Sequence, residues 1–285
     1  MGDFRALPRR LSVTRSSNQQ PMTLQPWAAC PDADLAGLRG VLTDIDDTLT
    51  RDGAIEASAL DALHRLAAAG LPVIAVTGRP AGWSESFALS WPVRAIVAEN
   101  GAVMLRRHAD ASLAIEFADP LPLRLANAAR LALCAQAVLA EVPGATLARD
   151  SAGRLTDIAI DHSEFARLDA AQIASALVVM RRHGLTATVS SIHINGWIGA
   201  HHKFSGACWA VQRVLGCELQ PAQWLYVGDS SNDQVMFERL PLSVGVANIA
   251  RFVPVLDHRP AWVTLAERGA GFAEVAQKVL ASRPA

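Results

Sequence analysis

The sequence lacks the marks of a disulfide framework, a membrane protein or a nucleic-acid-binding protein. Its four cysteines, Cys30, Cys134, Cys208 and Cys217, form no CxxC pair among 285 residues, which favours reduced thiols in a cytoplasmic protein. No apolar run reaches the length of a transmembrane helix, since Gly or Pro bounds the longest ones. The formal net charge of −1 offers no basic excess for nucleic acid or an anionic membrane. We therefore expect a globular, cytoplasmic protein without nucleic-acid or membrane partners.

The N-terminal segment differs in composition from the rest of the chain. In the first thirty residues, Arg5, Arg9, Arg10 and Arg15 lie among Ser, Gln and Pro, and Asp3 is the only acid. No apolar segment or cleavage-like site of a targeting signal follows. We therefore expect residues 1–35 to form a flexible extension.

Beyond this segment, short apolar runs alternate with helical patterns. Leu38–Ile45, Leu71–Thr77 and Arg94–Ala98 are typical of parallel strands covered on both faces. Glu56–Ala69, between the first two, places Ala and Leu on one helical face and ends before a glycine. The same alternation returns from residue 203 to the C-terminus. It predicts a doubly wound parallel sheet of the α/β class.

The middle of the chain follows another pattern. Ala- and Leu-rich helices are predicted around Leu121–Glu141 and Phe165–His183, and each is followed by a pair of strand-like segments. A helix and then a hairpin, twice, indicates an α+β domain with an antiparallel sheet. We therefore divide the chain into a core, residues 36–103 and 198–285, and an inserted domain, residues 104–197.

Carboxylates are concentrated at the ends of two predicted strands. One strand ends in Asp44, Asp46 and Asp47, and another ends in Asp229, with Asp233 in the following turn. Open α/β sheets bind ligands at the carboxyl ends of their strands. Acids at a single helix N-terminus are more often caps, but clustered carboxylates repel one another unless a cation neutralises them. Because Mg²⁺ takes one or two carboxylates together with phosphate oxygens, the two clusters favour a joint Mg²⁺ site.

Two further positions suit a phosphate group. Thr77, Gly78 and Arg79 follow the second strand with a hydroxyl and free backbone N–H groups, and Lys203 begins the helix after the insert. A positive charge there would neutralise phosphate oxygens. Each of these residues is common at such positions, so only their combination indicates a phosphate-binding site.

These motifs, in this order, resemble those of the haloacid dehalogenase superfamily of phosphohydrolases. They are Asp-x-Asp-x-Thr at Asp44, Asp46 and Thr48, then Thr77, Lys203 and the Gly-Asp-x-x-x-Asp element from Gly228 to Asp233. The resemblance covers nearly all of the chain after about residue 38. It implies a Rossmann-like core with an inserted α/β cap domain that determines substrate specificity.

Two other segments resemble one branch of that superfamily. Glu99–Ala102 and Val244–Asn248 look like the Cof-type, or type IIB, branch of sugar-phosphatase-like enzymes. That branch usually has Gly at the fourth position of the first motif, where this chain has Asp47.

The resemblance implies a role for each motif residue. Asp44 is expected to be the nucleophile that forms an aspartyl-phosphate, and Asp46 the general acid and base. The expected Mg²⁺ ligands are Asp44, Asp46 through its backbone carbonyl, Asp229 and Asp233, and the expected phosphate-binding residues are Thr77, Gly78, Lys203 and Asn232. The expected reaction is Mg²⁺-dependent hydrolysis of a small-molecule phosphate monoester.

Substrate choice is assigned mainly to the insert. Candidate specificity residues are Arg79 in the core and His162, Ser191, His193 and Asn195 in the insert. A solvated strand edge is an equally good interpretation of each one taken singly. Sugar phosphates, sugar phosphoglycerates and phosphates of cofactor-like molecules all fit this scheme.

Other functions compete with a phosphatase. A phosphomutase or phosphotransferase of the same superfamily shares the motifs. A receiver-like phospho-accepting module has a similar order of groups but is shorter and lacks both the acid at Asp46 and an insert. A catalytically inactive binding module would not require the complete motif set. A calcium loop at Asp44 is excluded, because Leu49 and Ile55 replace its required Gly and Glu.

Overall fold

A nine-stranded sheet, flanked by helices on both faces, forms the larger part of the molecule. The computed structural model describes residues 24–283. The strands are β1 (Gln25–Pro26), β2 (Gly40–Thr43), β3 (Thr50–Arg51), β4 (Ala54–Ile55), β5 (Val73–Val76), β6 (Ala95–Ala98), β7 (Val103–Arg107), β8 (Leu113–Phe117), β9 (Thr146–Leu147), β10 (Asp157–Asp161), β11 (Thr186–Val189), β12 (His193–Trp197), β13 (Trp224–Gly228), β14 (Leu242–Gly245) and β15 (Trp262–Val263). The α-helices are α1 (Asp32–Leu35), α2 (Ala57–Ala68), α3 (Ala81–Ser90), α4 (Leu121–Glu141), α5 (Ala170–Arg182), α6 (Lys203–Leu215), α7 (Gln234–Arg239) and α8 (Arg268–Ala281).

The order of the large sheet is β1-β15-β14-β13-β2-β5-β6-β7-β8. Its pairs are parallel from β1 to β6. Every residue of the central strands β2, β5, β6, β13 and β14 is buried, because α2, α3 and α8 pack on one face and α6 and α7 on the other. Burial on both faces explains the continuous apolar runs. The predicted α/β fold class is confirmed.

Part of the segment predicted to be a flexible extension forms regular structure. Gln25 and Pro26 form a parallel pair with β15 at the edge of the large sheet, and the side chains of Trp27 and Leu35 are buried in its core. The predicted flexible extension is therefore wrong for residues 24–35, because these apolar side chains are needed to cover the sheet. Residues 1–23 lie outside the described part of the chain.

The insert begins later than residue 104. β7 and β8 continue the large sheet as antiparallel strands next to β6, and Val103, Met104 and Leu105 are buried in the core. A sequence pattern does not distinguish these two strands from strands of an inserted sheet, since both kinds contain apolar residues and follow a turn. The structure places the boundary between Phe117 and Leu121.

The insert has its own sheet and its own core. Its four strands lie in the order β11-β12-β10-β9 and are antiparallel, in agreement with the predicted antiparallel sheet. Leu131, Val138, Met180 and Ile194 belong to a separate apolar cluster between this sheet, α4 and α5. α5 begins later than predicted because Asp169 accepts a hydrogen bond from the backbone N–H of Gln172 in a capping box.

α4 corrects the expectation that no segment reaches membrane-spanning length. By length and composition alone, Leu121–Glu141 is long and apolar enough to cross a membrane. Its inner face packs against the insert through Leu131, Cys134 and Val138. A core helix of a soluble protein passes the same test, so this single helix is weak evidence of a membrane span.

Candidate active site

The candidate residues meet at one edge of the large sheet. β14, β13, β2 and β5 are parallel neighbours, so the segments that follow them leave the sheet at the same end. Asp44–Thr48 follows β2, Thr77–Arg79 follows β5 and Asp229–Asp233 follows β13. α6 returns from the insert to this edge and begins at Lys203. Topology therefore brings together groups that lie up to 189 positions apart in the sequence.

Lys203 is the buried centre of the cluster. Its Nζ atom lies 2.6 Å from Asp44 Oδ1 and 2.7 Å from Asp233 Oδ1. Burial alone would lower the pKa of Lys203, but the Asp233 and Asp44 carboxylates raise it above its ordinary value. Burial raises the pKa of Asp44 to about 8, although Lys203 opposes this shift. The Lys203 ammonium group thus stays charged beside the carboxyl group of Asp44.

Asp233 holds the loop after β13 in place. Its Oδ1 atom accepts hydrogen bonds from Lys203 and from the Tyr226 hydroxyl. Its Oδ2 atom accepts from the backbone N–H groups of Asp229 and Ser230 at 2.9 and 3.0 Å. Gly228 is required for this arrangement, since a Cβ there would lie 2.5 Å from Asp233 Oδ2. Four donors therefore occupy the four lone-pair positions of this carboxylate.

Asp229 has an unused oxygen. The residue is fully buried, and its Oδ2 atom accepts from Asn248 Nδ2 at 3.1 Å and from Arg251 Nη2 at 3.3 Å. Its Oδ1 atom has no hydrogen-bond partner. Burial and the neighbouring Asp44 and Asp233 charges raise the pKa of Asp229 well above its ordinary value. A buried oxygen left unpaired beside like charges is costly unless a cation binds it.

The acidic cluster fits a hard divalent cation. Oxygen atoms of Asp44, Asp229 and Asp233 lie within 4.8 Å of one another, and all three residues are buried. Carboxylate oxygens are the ligands that Mg²⁺ prefers. The unpaired Oδ1 atom of Asp229 and the repulsion within the cluster are therefore both consistent with a Mg²⁺ site.

Arg79 forms ion pairs with Asp46 of the core and with two acidic residues of the insert. Its Nε atom lies 2.9 and 3.1 Å from the two oxygens of Asp46. Its terminal nitrogens bind Asp150 at 3.0 Å and Glu164 at 2.8 Å, both in the insert. The Thr77 hydroxyl accepts from the Arg79 backbone N–H at 3.0 Å. Arg79, predicted to contact substrate, therefore has its guanidinium donors bound to protein carboxylates.

A small cavity of about 10 Å³ lies directly over the nucleophile candidate. Its lining residues are Asp44, Asp46, Gly78, Arg79, Ser190, Ser191, Ile192, His193, Asn195 and Asn232. It contains most of the residues singled out in the sequence, from the core and the insert alike. Thr77 and Lys203 are not among the lining residues, but each bonds to one of them, Thr77 to the backbone N–H of Arg79 and Lys203 to Asp44.

The insert candidates occupy different positions. His193 Nε2 lies 3.0 Å from Glu164 Oε2, and Asn195 Nδ2 donates to the Gly78 carbonyl at 3.2 Å. Ser191 lines the small cavity. His162 is not among its lining residues; its ring lies 3.1 Å from the carbonyl of Ser190, behind the loop that covers the site. His162 therefore supports that loop and does not face the nucleophile.

A larger cavity of about 350 Å³ also borders Asp46. Its lining residues are Asp46, Asp47, Thr50, Asp52, Gly53, Arg79, Ser163, Glu164, Phe165, Arg167, Ser191, Ile192, Arg251 and Arg268. The sequence patterns did not predict that the segment 163–167, the β3–β4 hairpin, Arg251 and Arg268 would contribute to the site. These residues belong to no motif, and only the packing of the insert on the core brings them together.

Glu99 joins the insert to the core through a set of hydrogen bonds, here called the Glu99 clasp. This carboxylate is fully buried after β6 and accepts hydrogen bonds from the backbone N–H groups of Ala81, Leu155 and Thr156. The Thr156 hydroxyl donates to it as well. Next to this clasp the backbones of Gly82 and Gly153 touch, since a Cβ on Gly82 would lie 3.0 Å from the Gly153 Cα atom. The insert is thus seated closely on the core.

Glu99→Gln is expected to loosen this contact. The amide NH₂ would face backbone donors, so the clasp should weaken by about 1.5–3 kcal/mol, the usual range for hydrogen bonds to a charged group. Hydrogen exchange should accelerate at the backbone amides of Leu155 and Thr156. Glu85→Gln, an exposed site on α3, serves as the control. Unchanged exchange in Glu99→Gln would show that the clasp does not hold the insert.

Part of the sequence matches a known family. Residues 41–128 match the family model described as haloacid dehalogenase-like hydrolase. No curated protein sequence matches the chain significantly.

Solved structures of similar fold cover nearly the whole chain. A protein from Thermoplasma acidophilum has a TM-score of 0.65 at 17% identity, over 85% of this chain and 98% of its own. The sucrose-phosphatase of Synechocystis sp., solved with sucrose and phosphate, has a TM-score of 0.60 at 15% identity, over 85% and 98%. A sugar phosphatase of HAD subclass IIB has a TM-score of 0.55 at 14% identity, over 84% and 96%. At such low identity these likenesses show the fold. The matched segment and the shared fold together confirm the resemblance of this chain to the haloacid dehalogenase-like hydrolases.

Proposed function

We propose that this protein is a Mg²⁺-dependent phosphatase that hydrolyses the phosphate monoester of a small, sugar-like molecule through an aspartyl-phosphate on Asp44. One observation carries the proposal. A buried carboxylate at the end of β2 is bonded to Lys203 at 2.6 Å and faces a cavity shared with Asp46. A phosphatase reaction needs this combination of a nucleophile, a neighbouring acid and a positive charge for phosphate oxygens. The sugar phosphatases among the structural neighbours support the substrate class.

The reaction divides into two steps. In the first, an Asp44 oxygen attacks phosphorus, the bond from phosphorus to the leaving oxygen breaks, and Asp46 gives that oxygen a proton. In the second, Asp46 removes a proton from water, which attacks the aspartyl-phosphate and releases inorganic phosphate and the Asp44 carboxylate. Arg79, bonded to both oxygens of Asp46, orients the acid between the nucleophile and the larger cavity.

Asp44, Asp229 and the backbone carbonyl of Asp46 would hold the Mg²⁺. When bound, the ion neutralises the crowded carboxylates and the phosphate and fixes the orientation of the phosphoryl group. Asp233 was expected to be a ligand as well. Its lone pairs are already taken by Lys203, Tyr226 and two backbone N–H groups, so we assign it to supporting Lys203 and the loop.

The phosphate oxygens would be held by Lys203, Asn232, Thr77 and Gly78. The Thr77 oxygen already accepts from Arg79, which leaves the hydroxyl proton for a phosphate oxygen. The positive charge of Lys203, already beside Asp44, would stabilise the charge on the transferring group. The same interactions serve both steps, because the phosphoryl group stays in place while its two apical oxygens exchange.

The insert would act as a cap that moves to admit substrate. A cavity of about 10 Å³ holds roughly one water molecule, so a phosphoryl group enters only when the covering loop, residues 190–192 between β11 and β12, is displaced. The adjoining 350 Å³ cavity is at the small end of ligand sites and suits a leaving group of monosaccharide size. We therefore add Glu164 and Arg167, which line this cavity together with Ser191, to the candidate specificity residues.

Phosphate release is expected to stop when EDTA removes the metal and to return on addition of Mg²⁺. The reason is that the buried carboxylates repel the substrate phosphate when no cation neutralises them. The measurement is phosphate release from a panel of sugar phosphates and p-nitrophenyl phosphate, in matched buffers with EDTA, Mg²⁺ or Ca²⁺. Ca²⁺ should replace Mg²⁺ poorly because its coordination is looser and larger. Full activity in EDTA would exclude the metal assignment, and transfer of phosphate to an added sugar in preference to water would favour a phosphotransferase.

A further inference from the structure

Asp47 adopts a backbone conformation that is strained for most residues. Its φ is +56°, in the left-handed region that favours glycine and tolerates Asp and Asn. Its carboxylate is bound on both oxygens, by Arg268 Nε at 2.8 Å and by Arg251 Nη2 at 3.0 Å. These ion pairs stabilise a side chain at a position where glycine would be the less strained choice.

Arg251 is shared between Asp47 and the acidic cluster. The same Nη2 atom that binds Asp47 lies 3.3 Å from Asp229 Oδ2. Lys203 pairs with Asp44 and Asp233. Among the described residues, Arg251 is therefore the cation within ion-pair distance of Asp229. A guanidinium that bound Asp229 fully would compete with a metal ion for the same carboxylate.

We propose that Asp47 raises the metal affinity of the site by drawing the Arg251 guanidinium away from Asp229, an inference that rests on the proposed Mg²⁺ site. The shorter distance to Asp47, 3.0 Å against 3.3 Å, is the geometric basis. Without the Asp47 charge, Arg251 turns to Asp229, and the metal then has to displace it. Asn248 donates to both the Asp47 carbonyl and Asp229 Oδ2. It therefore fixes the position of Asp47 relative to Asp229.

The test measures metal binding directly, by isothermal titration with Mg²⁺ and by the loss of the free Mn²⁺ EPR signal, without substrate. Asp47→Asn removes the charge and keeps a residue that tolerates the left-handed region. It should weaken binding roughly three- to tenfold, as for a partly exposed ion pair close to a buried charge. Arg251→Gln should strengthen binding by a similar factor. The Arg251 side chain is 45% exposed, so this variant should fold normally, which thermal melting checks.

The double variant separates this mechanism from simple charge loss near the metal. If Asp47 acts through Arg251, Asp47→Asn should change binding less than twofold in the Arg251→Gln background. Equal weakening in both backgrounds would mean that Asp47 attracts the ion directly, and it would overturn the inference while leaving the metal site intact. Unchanged or weaker binding in Arg251→Gln would overturn it too. No saturable Mg²⁺ binding by the unaltered protein would overturn the inference and the proposed metal site together. Arg213→Gln, in a surface pair with Glu116, is the matched control and should bind like the unaltered protein.

Discussion

Asp44→Asn is expected to lower the rate of phosphate release at least ~10³-fold, because an amide cannot attack phosphorus to form the covalent intermediate. The replacement has the same shape, and its carbonyl oxygen can still accept from Lys203, so the fold should be retained. Steady-state phosphate release and trapping of labelled phosphate on the protein measure the two consequences.

The matching control for this prediction is Asp61→Asn, on the exposed face of α2, which should keep full activity. Labelled phosphate that still became attached to the Asp44→Asn protein would move the nucleophile to another residue. Asp46 is the first candidate, since it lines the same cavity.

Lys203→Met is expected to reduce both activity and stability. The substitution leaves two buried carboxylates, Asp44 and Asp233, without their shared cation. Breaking a buried ion pair in this way costs about 3–5 kcal/mol, and we expect the free energy of unfolding in EDTA to fall by about that amount. Loss of the positive charge beside the phosphate should lower turnover at least ~10²-fold.

Urea unfolding in EDTA and in Mg²⁺ measures the stability effect of Lys203→Met. The loss should be smaller in Mg²⁺, since the ion neutralises part of the same cluster. Lys278 is the only other lysine of the chain, and it forms a surface pair with Asp32. Lys278→Met should therefore cost no more than about 1 kcal/mol. Equal unfolding curves for the two variants would show that the buried ion pairs add nothing to stability.

The parts of the site that the sequence predicts are those that depend on strand ends. Asp44, Thr77 and Asp229 each follow a buried apolar strand, and parallel pairing of β13, β2 and β5 is enough to bring them together. Lys203 is predicted by its place at the start of the returning helix. These positions follow from local patterns and from the topology of an α/β sheet.

The contacts between core and insert were not predictable in the same way. Glu99, Asp150, Arg154 and Glu164 acquire their partners across the domain boundary only when the insert packs on the core. β7 was assigned to the insert for a related reason: an apolar run indicates burial, but it does not indicate which sheet the strand belongs to. Packing of one domain on another depends on side chains that are distant in sequence. The hydrophobic periodicity of the sequence therefore does not predict it.

The contact between Gly82 and Gly153 would limit how closely the insert can approach the core in the proposed closure. Main-chain atoms meet there with no side chain between them, so the proposed closure would end at a backbone contact that no change of rotamer could relieve. Under the proposed mechanism, the closed position would then have the same depth in every turnover, whichever molecule had been admitted. A bulky leaving group would have to extend sideways into the cavity beside Asp46. The contact between Gly82 and Gly153 would therefore fix the distance between the covering loop and Asp44 in the closed state.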